Sequence, residues 1–373
     1  MRFETKAIHV GQAPDPNSGD VMPPIHLSTT FAQAEPGMHK GYDYSRGGNP
    51  TRENFEAALA ALENAHYANA FSSGLSATLA IAGLLKTGEH LLSIDDTYGG
   101  TFRLFERVLR PYGLDFSYVD MSDAGKIKLQ KNTKMIWLET PTNPLLKIAD
   151  IAAIAARKGK AVLVVDNTFA SPYLQNPLDL GADIVMHSTT KYLNGHSDVI
   201  GGCAMTKSKA IYEHLKFYQM AVGGVPAPFD CWLAHRGLKT LPIRMKAHCE
   251  NGQAIAEFLK AHKKVSSVYY PGLPSHPNHK IAEKQMRGFS GMLSFEVKGN
   301  YRKFLKALKI FTLAESLGGI ESLINHPAIM THASLPAEER KRRGIGDSLL
   351  RLSVGIEHRQ DLVDDLNQAL AKA

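Results

Sequence analysis

The sequence predicts an α/β fold with a mostly parallel central sheet, joined to a smaller α+β domain. Three observations predict it. Short apolar runs at His90 to Ile94, Met135 to Leu138, Ala161 to Val165 and Asp183 to His187 read as buried strands. Helical patterns separate them, and strands that alternate with helices pair in parallel. Beyond residue 240 the pattern changes to one long helical stretch and two isolated strand candidates.

Taken in chain order, residues 1–48 hold Pro14, Pro16, Pro23, Pro24 and Pro36 with scattered glycines and no sustained helical period, which predicts an extended arm. At Asn49-Pro50-Thr51 a helix begins, with Thr51 as N-cap, Glu53 in the first turn, and Phe55, Leu59 and Leu62 on one apolar face. Phe71-Ser72-Ser73-Gly74-Leu75-Ser76 leads into an apolar helix from Ala77 to Leu85. The strand-and-helix region extends to residue 242. From 243 onward come a helix over Ile243 to His262, strands at Gly291 to Val297 and Leu350 to Val354, and a last helix from Arg359. In that helix Leu362, Leu366 and Leu370 recur at i, i+4 and i+8, a stripe that must pack against a core. The boundaries are thus an arm over 1–48, a large domain over 49–242 and a smaller domain over 243–373.

Bulk properties exclude several function classes. A net charge of +7 is spread along the 373 residues without a basic stripe, so no nucleic-acid partner is expected. The densest basic stretch, Arg340-Lys341-Arg342-Arg343, reads as the solvated end of a surface helix. Three cysteines, Cys203, Cys231 and Cys249, form no C-x-x-C pair, which suits a reducing cytoplasm and encodes neither a disulfide framework nor a thiolate metal site. The N-terminus lacks an apolar leader and no run is long enough to span a bilayer, so neither export nor a membrane partner is expected. His187 and His196 lack metal-ligand spacing, and no metal is expected. G-x-S-x-G is absent and G-x-G-x-x-G follows no strand, against serine hydrolase and dinucleotide chemistry.

In open α/β sheets functional groups gather at the carboxyl ends of strands. Val162-Leu163-Val164-Val165 ends in Asp166-Asn167-Thr168, and the run to His187 ends in Ser188-Thr189-Thr190-Lys191. The Gly74 turn adds backbone N–H groups at a helix start, where a phosphate binds well. A lysine amine, a strand-end carboxylate and phosphate donors are what pyridoxal 5′-phosphate needs: an attachment point for its aldehyde, a partner for its ring nitrogen, and a phosphate cradle.

Separated motifs strengthen that reading: Tyr42-Asp43-Tyr44-Ser45-Arg46, Ser73-Gly74-Leu75, Asp95-Asp96-Thr97-Tyr98-Gly99-Gly100-Thr101, Glu139-Thr140-Pro141-Thr142-Asn143-Pro144, Val165-Asp166-Asn167-Thr168, Ser188-Thr189-Thr190-Lys191-Tyr192 and Glu315-Ser316-Leu317-Gly318-Gly319. Through them the sequence resembles, over essentially its whole length, the Cys/Met-metabolism family of pyridoxal-phosphate enzymes. The resemblance implies a fold type I, aspartate aminotransferase-like architecture and a homotetramer made of two active dimers. It implies that Lys191 forms the Schiff base, that Asp166, beside Thr168, pairs with the pyridinium nitrogen, and that Tyr98 stacks on the ring and moves protons. Gly74, Leu75, Ser188 and Thr190 then hold the phosphate, with Tyr44 and Arg46 reaching in from the neighbouring subunit. Arg351 clamps the α-carboxylate of an amino-acid substrate, assisted by Asn143 and Ser316. An acidic residue at Glu315, with Leu317 two positions on, points to chemistry at Cγ, and Gly100 argues against methionine as the substrate. The resemblance favours γ-cleavage of cystathionine over its synthesis from an O-acylated homoserine and cysteine. Cleavage at Cβ and a non-catalytic binding module are less favoured.

Overall fold

The computed structural model describes residues 1–331 and 337–373. Among the described residues the strands form two sheets. The first contains β1 (Tyr67–Phe71), β2 (His90–Ile94), β3 (Asp115–Val119), β4 (Thr133–Glu139), β5 (Val162–Asp166), β6 (Ile184–His187) and β7 (Gly202–Thr206), in the order β1-β7-β6-β5-β4-β2-β3. Both neighbours of β7 run antiparallel to it, whereas β6, β5, β4, β2 and β3 pair in parallel. The central strands are buried on both faces, as helix-covered parallel strands must be.

The second sheet contains β8 (Val265–Tyr269), β9 (Met292–Val297), β10 (Thr312–Leu313), β11 (Leu323–Asn325) and β12 (Leu349–Ser353), in the order β10-β11-β12-β9-β8. Apart from the parallel pair β10–β11 it is antiparallel. The final helix, Arg359–Leu370, buries Leu362, Leu366 and Leu370 completely in the core of this sheet. That is the predicted stripe.

Three local expectations are corrected. The helix at Pro50–Leu62 is capped by Asn49, not Thr51: Asn49 Oδ1 accepts the Thr51 and Arg52 N–H groups at 3.0 and 3.3 Å. Pro50 at the first helical position shifts the start back by two residues, because its fixed φ suits that place and it has no N–H to satisfy. The arm is not extended throughout, since Phe3–His9 forms a helix that buries Ala7. And Arg343 is not a solvated end: it is 5% exposed, with its guanidinium 5.1 Å from the centre of the Phe102 ring. The side chain of its neighbour Lys341 lies outside the described residues.

Candidate active site

The carboxyl ends of β5 and β6 open into a cavity of about 830 Å³, within the roughly 300–1,000 Å³ range of cofactor and small-molecule sites. Their adjacency follows from the sheet order, in which Asp166 pairs with Met186. Side chains alternate across a strand, so Asp166 and Thr168 from one end and Ser188 from the other face the same side. Thr168 ties these ends together: its hydroxyl donates to Asp166 Oδ1 at 2.5 Å and accepts the Ser188 N–H at 2.9 Å. Burial raises the Asp166 carboxyl, against the lowering pull of the two Thr168 hydrogen bonds.

Opposite these groups starts the helix Gly74–Ala82, capped by Ser73, whose Oγ accepts the Ser76 N–H at 3.0 Å. The Gly74 and Leu75 N–H groups open its first turn, where no carbonyl within the helix is available to them. A Cβ at Gly74 would lie 3.1 Å from Ser188 Cβ, a crowded contact that glycine avoids where the helix start meets the end of β6. Thr190 also borders the cavity, its hydroxyl exchanging hydrogen bonds with the Gly201 backbone at 3.0 and 3.2 Å.

Lys191 follows in the turn after β6, and its Nζ donates to Ser316 Oγ at 2.9 Å. Burial, and secondarily the Arg351 charge, push its amine down to about 8. Arg351 stands in the middle of β12 and is 2% exposed. It donates from Nη1 to Asn143 Oδ1 at 2.9 Å and from Nη2 to the Ser316 carbonyl at 2.7 Å, while Nε is buried and has no partner among the described residues. Burial lowers its guanidinium to about 10. An arginine so placed has been desolvated with no carboxylate at salt-bridge distance among the described residues, which suits an incoming anion.

Tyr98 caps the short helix Gly99–Arg103, and its N–H is held by both oxygens of Glu139, at 3.1 and 3.0 Å. Burial raises its phenol and the Arg103 charge opposes the rise. Asn143, Glu315 and Ser316 complete the wall. Of the residues that the resemblance assigns to cofactor or substrate binding, Tyr44 and Arg46 alone do not border this cavity; they lie side by side on the arm, with the guanidinium 5.4 Å from the centre of the tyrosine ring.

A sequence profile of the Cys/Met metabolism PLP-dependent enzyme family matches residues 4–371. The chain belongs to that family. Within it, the sequence is 57% identical to the cystathionine gamma-lyase of Dictyostelium discoideum, over 100% of this chain and 98% of that protein. It is 54% identical to the cystathionine beta-lyase of Coxiella burnetii, over 99% of this chain and 97% of that protein. The crystal structure of cystathionine gamma-lyase from Lactobacillus plantarum complexed with L-serine matches with a TM-score of 0.96 at 47% identity, covering 100% of this chain and 99% of that one. The architecture is the fold type I of this family.

The cavity fits the family's cofactor on its own chemistry. It offers a lysine amine already biased toward its neutral form, and a buried carboxylate with no cation at hydrogen-bonding distance among the described residues. It also offers a glycine-lined helix start beside hydroxyl donors. Sequence reasoning about this family member missed Glu139, which buttresses Tyr98 and whose carboxyl is raised well above the usual range by burial and by Asp166. The strand-end position of Glu139 was the available signal.

Proposed function

We propose that the protein is a cystathionine γ-lyase, which splits L-cystathionine into L-cysteine, 2-oxobutyrate and ammonia, with hydrogen sulfide release as a side activity. The observation that carries this reading is a single cavity onto which Lys191, Asp166, Arg351 and Glu315 all open. Lys191 is the attachment point for pyridoxal 5′-phosphate, and Asp166, oriented by Thr168, favours the charged ring nitrogen. Gly74 and Leu75 N–H groups with Ser188 and Thr190 hold the phosphate, joined by Tyr44 and Arg46 of a neighbouring subunit. When bound, the cofactor acts as an electron sink for the substrate Cα.

The remaining work falls to side chains. Arg351, with Asn143 and Ser316, takes the α-carboxylate and so sets which bond at Cα faces Lys191. The Lys191 Nζ, lowered to about 8, is a base suited to removing the Cα proton and then a Cβ proton near neutral pH. Tyr98 covers the ring and handles the proton of the substrate amine or leaving group. Glu315 places negative charge on the wall of the cavity, in keeping with departure of a group from Cγ.

The same reading divides the chain into an arm (1–48), a cofactor domain (49–242) and a substrate domain (243–373), assembled in the cytoplasm as a homotetramer of two active dimers. The confinement of β1–β7 to residues 67–206 and of β8–β12 to 265–353 supports the division. The alternative reading is a cystathionine γ-synthase, joining an O-acylated homoserine to cysteine, with Cβ cleavage, the activity in one relative's name, behind it. One experiment separates them: incubation with cystathionine alone, and with O-acetyl- or O-succinylhomoserine plus cysteine, comparing kcat/KM and products. We expect 2-oxobutyrate from cystathionine as the fastest reaction. Pyruvate in its place would establish β-cleavage, and faster condensation would establish a synthase.

A further inference from the structure

Behind the cavity, on the opposite side of the sheet, lies a polar cluster that the chemistry above does not use. Glu63, just past the end of the helix Pro50–Leu62, is 1% exposed. Its Oε1 accepts the Asn167 Nδ2–H at 2.9 Å and pairs with His187 Nε2 at 2.6 Å, and its Oε2 accepts the Asn176 Nδ2–H at 3.2 Å. Asn167 directly follows Asp166, and His187 directly precedes Ser188. One carboxylate therefore holds the rear face of both strand ends whose front faces carry two groups of the candidate site.

We infer that Glu63 is a positioning residue for cofactor binding: by pinning Asn167 and His187 behind the sheet, it aims Asp166 and Ser188 into the cavity. This rests on the pyridoxal-phosphate reading above. Ladder hydrogen bonds set the register of β5 and β6 as far as Asp166 and Met186, and β7 holds His187 opposite Cys203, but beyond Asp166 and His187 the chain leaves the sheet, and there the direction of a side chain depends on where its neighbour is held. Successive side chains point to opposite faces, so fixing residues 167 and 187 on one face fixes 166 and 188 on the other. His187 depends on Glu63 in particular, because its Nδ1 is buried without a partner among the described residues. Asn167 is held twice more by Gln175, donating to its carbonyl at 2.8 Å and accepting from its Nε2 at 2.9 Å. Hydrogen bonds among groups withdrawn from water are costly to break, so the pin is stiff.

The test compares Glu63→Leu, which removes both strand ties, with Asn176→Ala in the full-length protein. Asn176→Ala also removes a Glu63 hydrogen bond, but it touches neither strand end. Each variant is stripped and reloaded with pyridoxal 5′-phosphate. Three quantities are read: the dissociation constant, the circular dichroism of the visible cofactor band, which reports ring orientation, and the melting temperature of the cofactor-free protein. We expect Glu63→Leu to weaken cofactor binding about tenfold, the worth of one well-made hydrogen bond, and to change the visible dichroism. Asn176→Ala should lower the melting temperature and leave both cofactor readings at their wild-type values. Equal cofactor readings in Glu63→Leu and wild type, or equal losses in the two variants, would overturn the inference. Should Glu63→Leu fail to fold, Asn167→Ser and His187→Asn each break one tie; unchanged dichroism in both would likewise overturn it. A wild-type chain that takes up no cofactor is a different failure, that of the functional reading beneath.

Discussion

The amine of Lys191 donates a hydrogen bond to the hydroxyl of Ser316 at 2.9 Å, joining the end of a strand in the first sheet to a loop that borders the second. Ser316 holds a φ of +80°, a region that favours glycine, and its carbonyl is gripped by Arg351 Nη2 at 2.7 Å. Such a backbone costs on the order of 1–3 kcal/mol and persists only where its surroundings enforce it. The two cations therefore converge on one constrained residue, and the Arg351 charge adds to burial in lowering the Lys191 amine.

The first prediction concerns pH. The Lys191 amine titrates at about 8 in the fold, below the roughly 10.4 of an unfolded lysine, so folding opposes its charge. That cost is present below about pH 8 and is relieved as the pH rises from there toward 10.4. The rate at which the cofactor-free protein takes up pyridoxal 5′-phosphate should rise with pH to a midpoint near 8. A midpoint near 10 would mean that the amine is not desolvated. Lys191→Ala should abolish the visible band altogether.

Arg351→Lys keeps a charge but loses the fork that reaches Asn143 and Ser316 together. We expect kcat/KM for the amino-acid substrate to fall about 100-fold, the worth of a charged hydrogen bond at 2–3 kcal/mol. The visible spectrum should be retained. A simultaneous loss of cofactor would place Arg351 in cofactor binding instead.

A Cβ on Gly100 would run into Cε1 and Cζ of the Tyr98 ring. Gly100→Ala should therefore displace that ring, reducing kcat and shifting the visible band while the melting temperature holds. Wild-type kinetics in this variant would show that the tyrosine pose is unimportant.

If Arg46 serves a neighbour's phosphate, Arg46→Ala should weaken cofactor retention, and mixing it with Lys191→Ala subunits under exchange should restore activity. In mixed oligomers some sites combine an intact lysine with an intact arm. Absence of recovery, with exchange verified by mass, would place Arg46 outside the site.

Leu366→Ala tests the core beneath the second sheet. The residue is fully buried, so the cavity should cost about 2–5 kcal/mol in chemical denaturation, with little change in KM.

How much was legible follows from particular residues. The runs ending at Ile94, Leu138, Val165 and His187 are mostly apolar, and each matches a strand to within two residues at either end. β1 escaped because Tyr67-Ala68-Asn69-Ala70-Phe71 carries a buried asparagine and two alanines, and its partner β7 opens on a glycine. Neither has the apolar content by which a buried strand is read. Gly202 is needed because a Cβ there would strike the Ser73 carbonyl, a contact between segments far apart in sequence.

What the sequence determined by itself was the set of chemical groups and the type of scaffold that carries them. Periodicity and strand-end composition are local properties, so Asp166, Lys191 and the Gly74 turn could be read without coordinates. What the tertiary structure decided was convergence: Arg351 against Ser316 and Asn143, Glu139 beneath Tyr98, Glu63 behind both strand ends, and Arg343 folded over Phe102. These pairings depend on burial and on distances between segments tens to hundreds of residues apart, and no window of the chain contains both partners.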